Sequence, residues 1–371
     1  MYSIGIEEEF FVFDAATRRA VRHLDKTFLK RAQAELGETL KTEMLQSQIE
    51  VATPPCESID EARQHLARMR RTLADVARGR KLGIAAVGTF PLAFRDDQRV
   101  TAKARYDEII NDLQILALRN MVCGMHVHVE VPDQSARINL IMRMTPFLPL
   151  MLALSASSPF WQGHLTGLSA YRLAHYDELP RTGLPELFRT TEDYDEYVDA
   201  LVRAKIIPDA SYIWWAIRPS LSFPTIELRI ADACTRLDDA VAIAALFRCL
   251  LRALERNRSL NAGFDRVGRA ITAENKWHAQ RHGRAATFVE PIQRRPVTAA
   301  QWLAEITELV AVDAQALGCA AQIAHLERIM VDGTSADRQI ALYNKARADG
   351  RQKLTALKDV VDWAAAETLA F

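Results

Sequence analysis

The chain has 371 residues, of which 49% are hydrophobic and 25% are charged. This composition is ordinary for a globular protein and excludes extensive disorder, collagen-like repeats and small disulfide scaffolds. Lys and Arg together number 47, as do Asp and Glu, so the formal net charge is zero. Because the chain carries no overall positive charge, we expect no nucleic-acid partner. The length fits either two domains or one large enzyme domain.

Neither the cysteines nor the apolar segments indicate export or a membrane. The five cysteines are odd in number and form no CxxC pair, which is typical of reduced thiols in a cytosolic protein. The N-terminal segment MYSIGIEEEF lacks the basic and apolar regions of a signal peptide. The longest apolar run, residues 147–154, is too short to span a bilayer and contains Pro149. We therefore expect a cytoplasmic protein without a membrane partner, in which this run forms a buried helix or turn.

The first half of the chain is predicted to mix strands with helices. Ser58 is a good N-cap, and Glu61 three residues later completes a capping box, so a helix begins there and ends near Arg80. Hydrophobic alternation and apolar runs predict strands at residues 3–13, 44–53, 83–89 and 121–131 and a helix at residues 138–156. Residues 159–190 contain several Gly, Pro, Thr and Ser and are predicted to be irregular.

The last third of the chain is predicted to be mainly helical. The remaining predicted elements are a helix at residues 194–205, strands at 211–217 and 224–231, a long helix at 238–256 and helical segments at 300–329 and 337–366. Strands and helices do not alternate regularly, and no Walker A or GxGxxG loop is present. A doubly wound parallel sheet is therefore disfavoured.

Three consecutive glutamates form the first candidate site, in the predicted strand at residues 3–13. Alternate side chains of a strand share a face, so Glu7 and Glu9 lie on one face and Glu8 on the other. Two carboxylates on one half-buried face repel each other unless a cation lies between them. A hard divalent cation such as Mg²⁺ meets that need. The alternative is an edge strand whose acidic face is wet.

A second polar row lies in the predicted strand at residues 44–53. Gln46, Gln48 and Glu50 have period two and share a face, opposite apolar side chains. Glu43 lies seven residues before Glu50, an odd spacing, so a bulge or turn at Glu43 is needed for both to reach one site. The alternative is a sheet with one solvated face.

Two histidines separated by one residue share a face of the predicted strand at residues 121–131. Such a pair, here His126 and His128, is familiar as a metal site, including zinc. Cys123 has the opposite parity, which disfavours a Cys/His zinc site. The alternatives are a polar sheet face or one core histidine with satisfied hydrogen bonds.

Glu227 and Arg229 share a face of the predicted strand at residues 224–231, and Arg218 ends the strand before it. Such a pair is most often an ion pair across a sheet. The functional alternative is that Glu227 holds a metal ion while the arginines neutralise phosphate oxygens. Together, four strands present carboxylates, a histidine and an arginine on one face and apolar side chains on the other. This arrangement suggests a cradle for Mg²⁺ and a nucleotide.

Eight motifs follow one another along most of the chain. They are GIEEEF at 5–10, LQSQIEVATP at 45–54, CGMHVHVEVP at 123–132, LSASSPFWQGHLTGLSAYR at 154–172, IRPS at 217–220, TIELRIADAC at 225–234, ENKW at 274–277 and GTSADRQ at 333–339. This combination resembles the glutamate–cysteine ligase type 2 family of carboxylate–amine ligases. The resemblance implies an α+β, glutamine-synthetase-like fold, in which a curved, mainly antiparallel sheet forms a cradle backed by helices. We accordingly predict a single ligase domain over residues 1–371, sheet-forming at about 1–236 and mainly helical at about 237–371.

The resemblance also implies roles for individual residues. The implied metal ligands are Glu7, Glu9, Glu50, His126 and Glu227. Arg229 is the implied catalytic residue, which stabilises the phosphoryl-transfer transition state. The implied substrate or ATP contacts are Glu43, Arg172, Arg218, Lys276 and Arg338. Among these, Arg172 is expected to grip a substrate carboxylate bidentately.

By this resemblance, the activity is ATP-dependent amide formation through an acyl phosphate, with Mg²⁺ or Mn²⁺ as the metal ion. The implied substrates are L-glutamate and L-cysteine, the partners are small molecules only, and a homodimer is left open. One alternative is a zinc-dependent hydrolase built on His126 and His128. The lack of an evident third zinc ligand nearby in the sequence counts against it. The other is a non-catalytic regulator that binds a nucleotide or amino acid. The presence of all the acidic residues counts against this alternative.

Overall fold

One antiparallel sheet organises the computed structural model, which describes residues 2–371. Its strands are β1 (Ile4–Asp14), β2 (Leu40–Thr42), β3 (Gln48–Ala52), β4 (Leu82–Ala85), β5 (Met125–Glu130), β8 (Ile217–Pro219) and β9 (Thr225–Leu228). Hydrogen-bonded neighbours follow the order β2–β3–β1–β5–β9–β8, and β4 pairs with the later part of β1. Two small hairpins lie outside this sheet, namely β6 (Phe160–Trp161) with β7 (His164–Leu165), and β10 (Thr287–Val289) with β11 (Pro296–Thr298).

Helices α2 and α9, the longest of the described chain, pack against one face of the sheet. The helices are α1 (Lys26–Leu36), α2 (Ile59–Arg78), α3 (Ala104–Leu113), α4 (Ile115–Leu118), α5 (Gln134–Met144), α6 (Leu148–Ser155), α7 (Tyr171–Tyr176), α8 (Thr191–Arg203), α9 (Leu237–Arg256), α10 (Arg266–His282), α11 (Ala299–Leu309), α12 (Ala311–Ala316), α13 (Ala320–Asp332), α14 (Ser335–Ala348) and α15 (Lys353–Glu367). The opposite face carries polar side chains around Glu7 and Glu9, whereas Phe11 and Phe13, farther along β1, are buried there in a second apolar cluster.

The register of β1 decides which side chains meet on that polar face. Glu7 lies opposite Ala52 of β3 on one side and His126 of β5 on the other. Glu9 lies opposite Glu50. Residues directly opposite each other in an antiparallel pair share a face. The carboxylates of Glu7, Glu9 and Glu50 therefore lie close together on one face of the sheet.

Glu8 points the other way, toward α2, and is buried there against Arg70. The Arg70 guanidinium donates to both Glu8 oxygens at 2.9 and 2.6 Å. It also donates to the carbonyls of Cys234, Thr235 and Thr368, at 2.8, 2.8 and 3.1 Å. Every N–H of this guanidinium thus has an acceptor, as a buried charge requires.

Several predicted elements lie where the sequence pattern indicated. Strand β1 and helices α2, α8 and α9 match their predicted ranges closely. Ser58 caps α2 by accepting from the Glu61 N–H at 3.1 Å. The Glu61 carboxylate, however, accepts from the Glu57 N–H rather than from Ser58, so the predicted capping box forms only by half. Strand β3 begins at Gln48 after a turn at residues 44–47, the turn that the spacing of Glu43 and Glu50 required.

The predicted strand at residues 211–217 is wrong for most of its length. A 3₁₀ turn occupies Ala210–Tyr212. The N–H groups of Trp214 and Ala216 then donate to carbonyls of the loop at residues 181–183. These two N–H groups therefore form no hydrogen bonds within the main sheet. Five helices were not predicted, namely α1, α3, α4, α10 and α7, the last of which lies in the segment at 159–190 that was predicted to be irregular. The segment at 300–329 divides into α11, α12 and α13.

One helical stretch, Gln134–Ser155, is long and apolar enough to cross a membrane by length and composition, with a mean hydropathy of 1.4. Of its apolar window, 89% is buried inside the protein. This stretch comprises α5 and α6 and contains the run at residues 147–154, so the predicted buried helix is confirmed. All five cysteines are buried and free.

Candidate active site

The face of the sheet that carries Glu7 and Glu9, here called the acidic face, opens into an outer cavity of about 590 Å³. The strands supply most of its charged lining, which includes Glu7, Glu9, Lys41, Glu50, His126, His128, Arg218, Glu227 and Arg229, and Lys103 and Arg105 add two further positive charges. Glu43 reaches the same cavity because it precedes the turn at residues 44–47. The structure therefore brings the predicted metal ligands together, and their roles as ligands stay a prediction.

Three groups of side-chain atoms in the outer cavity are close enough to hold a metal ion. In each group the ligand atoms lie within 4.8 Å of one another. The groups are Glu7/Glu50/His126, Glu7/His128/Glu227 and Glu9/Glu43/Glu50. Carboxylate oxygens dominate all three, which favours a hard cation such as Mg²⁺ over zinc. His126 and His128 fall in different groups, which weakens the zinc-hydrolase alternative.

Three carboxyl groups of the outer cavity, those of Glu9, Glu43 and Glu50, resist ionisation. Burial, followed by repulsion from neighbouring carboxylates, raises the pKa of Glu9 and of Glu43 to about 7. The same two causes raise the pKa of Glu50 well above its ordinary value. Lys41 Nζ lies 3.2 Å from Glu7 and 2.9 Å from Glu50 and offsets part of this charge. A bound cation would lower all of these pKa values.

His126 offers a neutral nitrogen to the first group. Burial and the positive charge of Arg229 lower its pKa to about 4. Its Nδ1 lies 3.3 Å from a Glu7 oxygen, whereas its Nε2 is buried without a hydrogen-bond partner. When Nδ1 carries the proton, the lone pair on Nε2 is free for a metal ion. The residues present thus fit a metal ion.

Glu227 is held between two arginines. Arg218 Nε lies 2.8 Å from one of its oxygens, and Arg229 Nη1 donates to the other. Burial alone would raise the pKa of Glu227, but Arg229 and Arg218 hold it well below its ordinary value. The remaining contacts of Arg229 are long, at 3.5 Å to His126 Nδ1 and 3.4 Å to the Tyr176 hydroxyl, and its buried Nε has no partner. Arg229 therefore keeps hydrogen-bonding capacity for a ligand.

A smaller inner cavity of about 180 Å³ lies beside Glu9, on the side away from Glu7. It shares Glu9, Glu43, His126 and Arg229 with the outer cavity. Arg105, Tyr106 and Trp214 also line both cavities. The rest of the inner lining combines polar side chains, among them Gln48, Asn120, Arg172 and Tyr176, with aliphatic ones such as Ile109, Leu113 and Leu179. Two connected cavities thus meet at the acidic face.

Arg172 is buried in the wall of the inner cavity. Its guanidinium lies against Gly124, where a Cβ would overlap it, so a larger residue at this position would require the guanidinium to shift. Nη1 donates to the Arg229 carbonyl at 3.2 Å, and Nε has no partner. The Ser158 hydroxyl accepts a hydrogen bond from the backbone N–H of Arg172 at 2.9 Å and donates one to the buried Asp232 carboxylate at 2.6 Å. The unpaired Nε gives Arg172 the capacity to bind an anion in this cavity.

Two predicted contact residues lie apart from these cavities. Lys276 forms an ion pair with Asp177 behind Tyr176 and Arg229, in a narrow space next to the inner cavity. Arg338 is exposed on α14 and lines neither the inner nor the outer cavity. Their roles stay predictions.

Several residues that line the site were not predicted, because no sequence motif marks them. Tyr106 lies on α3 and Trp214 in the loop before β8, segments without a recognisable motif. Lys41 lies on the three-residue strand β2, which is too short to show a period of two. Its pairing opposite Glu50 becomes visible only in the register of β2 and β3.

Comparison with known proteins places this chain in a family of ligases. The model of the glutamate–cysteine ligase family 2 (GCS2) matches residues 3–356. The chain belongs to this family, so the predicted resemblance is confirmed.

Two relatives named "Putative glutamate--cysteine ligase 2" align with the whole chain. The protein from Bradyrhizobium diazoefficiens is 46% identical over 369 residues, which cover 100% of this chain and 84% of the relative. The protein from Rhodospirillum rubrum is 43% identical over 373 residues, which cover 100% of this chain and 96% of the relative.

Two crystal structures share the fold at low sequence identity. Glutamate–cysteine ligase from Francisella tularensis, in complex with AMP, has a TM-score of 0.68 and 12% identity, over 100% of this chain and 89% of that one. A bifunctional glutathione synthetase from Pasteurella multocida has a TM-score of 0.68 and 15% identity, over 99% and 52%. The predicted α+β architecture, an antiparallel sheet backed by helices, is confirmed.

Proposed function

We propose that this protein is an ATP- and Mg²⁺-dependent carboxylate–amine ligase that joins L-glutamate to L-cysteine as γ-glutamylcysteine. The observation that carries the proposal is the junction of the inner cavity, which contains a buried arginine, with a carboxylate-lined outer cavity. The names of the relatives and of the Francisella tularensis enzyme support the choice of substrates.

The outer cavity is the part of the site that suits Mg²⁺ and the phosphates of ATP. Glu7, Glu50 and His126 would hold one ion, and the groups around Glu227 and Glu43 offer further ligands. When bound, Mg²⁺ neutralises phosphate oxygens and stabilises the charge that develops during phosphoryl transfer.

The inner cavity is the part of the site that suits the acid substrate. Its volume of about 180 Å³ accommodates one small amino acid. Arg172 binds one carboxylate of that amino acid, and the aromatic rings of Tyr106 and Trp214 limit the access of water. The second carboxylate then points toward the outer cavity and the γ-phosphate.

Amide formation takes two displacements on this scaffold. A carboxylate oxygen of the acid attacks the γ-phosphorus, the bond from that phosphorus to ADP breaks, and an acyl phosphate forms. The neutral amine then attacks the acyl carbon, the bond to the phosphate oxygen breaks, and the amine loses a proton as the amide forms. Arg229 lines both cavities and offsets the charge on the transferring phosphoryl group. Neither displacement needs an enzyme nucleophile.

An ADP-release assay over pairs of amino acids, with the product identified by mass spectrometry, tests this proposal. We expect turnover with Mg²⁺ or Mn²⁺ and none with Zn²⁺, because the ligand groups are dominated by carboxylate oxygens. Glu7→Gln should abolish metal-dependent turnover. Tightly bound zinc that is required for activity would instead support the hydrolase alternative. Nucleotide binding without turnover of any pair would support the regulator alternative.

A further inference from the structure

Two of the five buried cysteines, Cys249 and Cys319, form a pair in the helical part of the chain. Their sulfur atoms lie 3.3 Å apart, although the residues are 70 positions apart in the sequence. Cys249 lies within α9, and Cys319 is the N-cap residue of α13. Because a disulfide bond is about 2 Å long, the two sulfurs need to move only slightly to form one. The ligase reaction proposed above uses neither thiol.

Cys319 is better placed than Cys249 to ionise. The N-terminus of a helix stabilises a thiolate, because its unpaired N–H groups and macrodipole supply partial positive charge. The hydrogen bond from Cys249 and the charge of Arg248 lower the pKa of Cys319, although burial opposes the shift. The hydrogen bond with Cys319, together with burial, raises the pKa of Cys249. Cys319 is therefore the thiol of the pair that reacts first with an electrophile.

Arg248, which precedes Cys249 on α9, is only 4% exposed and keeps one nitrogen unused. Its Nε donates to the Tyr2 carbonyl at 2.6 Å, and its Nη2 donates to the Glu57 carbonyl at 2.7 Å. Its Nη1 is buried without a hydrogen-bond partner. A buried cation with an unpaired N–H is costly, so a nearby anion is favoured. The thiolate of Cys319 is an anion of this kind.

The three other cysteines of the chain lack this environment. Burial raises the pKa of Cys56 to about 11. Burial likewise raises the pKa of Cys123 and of Cys234 well above the ordinary value. Their thiols contact a backbone carbonyl or a side-chain amide rather than a second sulfur. These three cysteines therefore serve as internal controls within the same protein.

We propose that Cys249 and Cys319 form a redox pair that hydrogen peroxide converts to a disulfide and that a dithiol converts back. Small size matters for the oxidant, because both thiols are buried. Gly318 and Ala320, on either side of Cys319, are exposed, so a local opening of this turn admits peroxide to the sulfur. The proposal does not depend on the ligase activity.

The oxidation takes two steps. The Cys319 thiolate attacks one peroxide oxygen, the O–O bond breaks, hydroxide leaves and a sulfenic acid forms. The Cys249 thiol then attacks the Cys319 sulfur and loses its proton, the S–O bond breaks and water leaves. The pair gives up two electrons, and the peroxide is reduced to two molecules of water once the hydroxide takes up a proton.

Peroxide treatment of the reduced full-length protein tests the pairing. After oxidation, the remaining thiols are alkylated during unfolding, and the tryptic peptides are identified by mass spectrometry. We expect a crosslink between Cys249 and Cys319, with Cys56, Cys123 and Cys234 alkylated. Dithiothreitol should return all five thiols. A parent that keeps five free thiols, or whose crosslink joins other cysteines, overturns the proposal.

Two single variants test the order of attack. Alanine suits the middle of a helix and serine is a favoured N-cap, so Cys249→Ala and Cys319→Ser should both fold. Peroxide should convert Cys319 to a sulfenic acid in Cys249→Ala, which dimedone added on unfolding traps. Cys249 should stay unmodified in Cys319→Ser. The reverse pattern overturns the assignment of Cys319 as the attacking thiol.

A matched pair of variants tests the role of Arg248. Arg248→Met removes the charge and should slow crosslinking about tenfold, the effect of one pKa unit on the thiolate fraction. Arg248→Lys keeps the charge and should retain most of the rate. Neither variant reproduces both contacts of the guanidinium to Tyr2 and Glu57, so the difference between them reports the charge. Equal crosslinking rates in the parent and both variants overturn this role.

Thermal melts provide a readout that does not depend on peptide chemistry. A disulfide that closes a loop of 70 residues restricts the unfolded chain, so peroxide should raise Tm of the parent by about 5 °C. Peroxide should leave Tm of Cys249→Ala unchanged, since no disulfide can form there. An equal rise in both proteins contradicts the crosslink as its cause and overturns the proposal.

Discussion

The two faces of strand β1 both carry buried glutamates, yet they treat the negative charge in opposite ways. On the helix side, Glu8 has its own arginine, and every N–H of Arg70 has an acceptor. On the acidic face, Glu9 and Glu50 lie opposite each other with raised pKa values.

This difference separates a structural carboxylate from one kept available for a ligand. A fully satisfied ion pair gains nothing from a further cation, whereas crowded carboxylates gain strongly from one. We therefore expect changes on the helix side to alter stability and changes on the acidic face to alter activity.

The largest expected effect is on the helix side. Arg70→Met leaves the Glu8 charge buried without a partner, and breaking such a pair costs about 3–5 kcal/mol of unfolding free energy. Chemical denaturation measures this loss. Glu8→Gln combined with Arg70→Met should recover part of it, because neither charge then remains. A fully stable Arg70→Met protein would show that Glu8 is not held by this pair.

Arg229→Ala should have the next largest effect, on catalysis. Loss of a donor that acts on the transition state lowers kcat by about 10²- to 10³-fold, with little change in ATP affinity. If Arg229 only supports Glu227, the variant should instead lower Tm, and Glu227→Gln should partly restore it. Steady-state kinetics and thermal melts of the same samples distinguish the two. A folded Arg229→Ala enzyme with near-parental kcat contradicts the catalytic role.

Asp232 is a buried carboxylate without an arginine of its own, and the pH dependence of stability should reveal it. Burial raises its pKa from 3.8 to about 6, although Arg172 and hydrogen bonds from Ser158 and Ser157 oppose the shift. Between these values the native state holds a proton that the unfolded chain has lost, so stability falls as pH rises. The parent should therefore lose up to about 3 kcal/mol relative to Asp232→Asn between pH 4 and 6. If the free energy of unfolding changed with pH equally in both proteins, this prediction would be contradicted.

Arg172→Lys should have the smallest of these effects. Lysine keeps the charge but cannot form the bidentate contact, which costs about one charge-assisted hydrogen bond, or roughly tenfold in KM for the acid. KM for ATP should change little, because Arg172 lines the inner cavity and not the outer cavity. Equal shifts in both KM values would contradict a role in binding the acid.

Sequence parity was sufficient to divide the glutamates of β1 between the two faces. It was also sufficient to require the turn near Glu43, because both inferences depend only on the period of a strand. The parity did not reveal Arg70 as the partner of Glu8, since a contact between α2 and β1 has no local signal. The same reason hid Lys41, Tyr106 and Trp214, which reach the site from separate segments.

The wrong strand at residues 211–217 has a physical cause of its own. Aromatic and β-branched residues favour strands, but Trp215 packs among Phe188, Tyr194 and Tyr197. Tertiary packing thus outweighed local propensity for SYIWWAI.

The guanidinium of Arg70 also has a consequence for how the chain can be shortened or tagged. It joins Glu8, close to the start of β1, to the carbonyl of Thr368, which follows the last helix. The Thr368 hydroxyl in turn accepts the Ala86 N–H at 3.1 Å, just beyond β4. Residues near the two ends of the sequence are therefore parts of one hydrogen-bond network beneath the acidic face. A deletion that begins at Thr368 would loosen the strand that carries Glu7 and Glu9, although it removes no residue that touches a substrate.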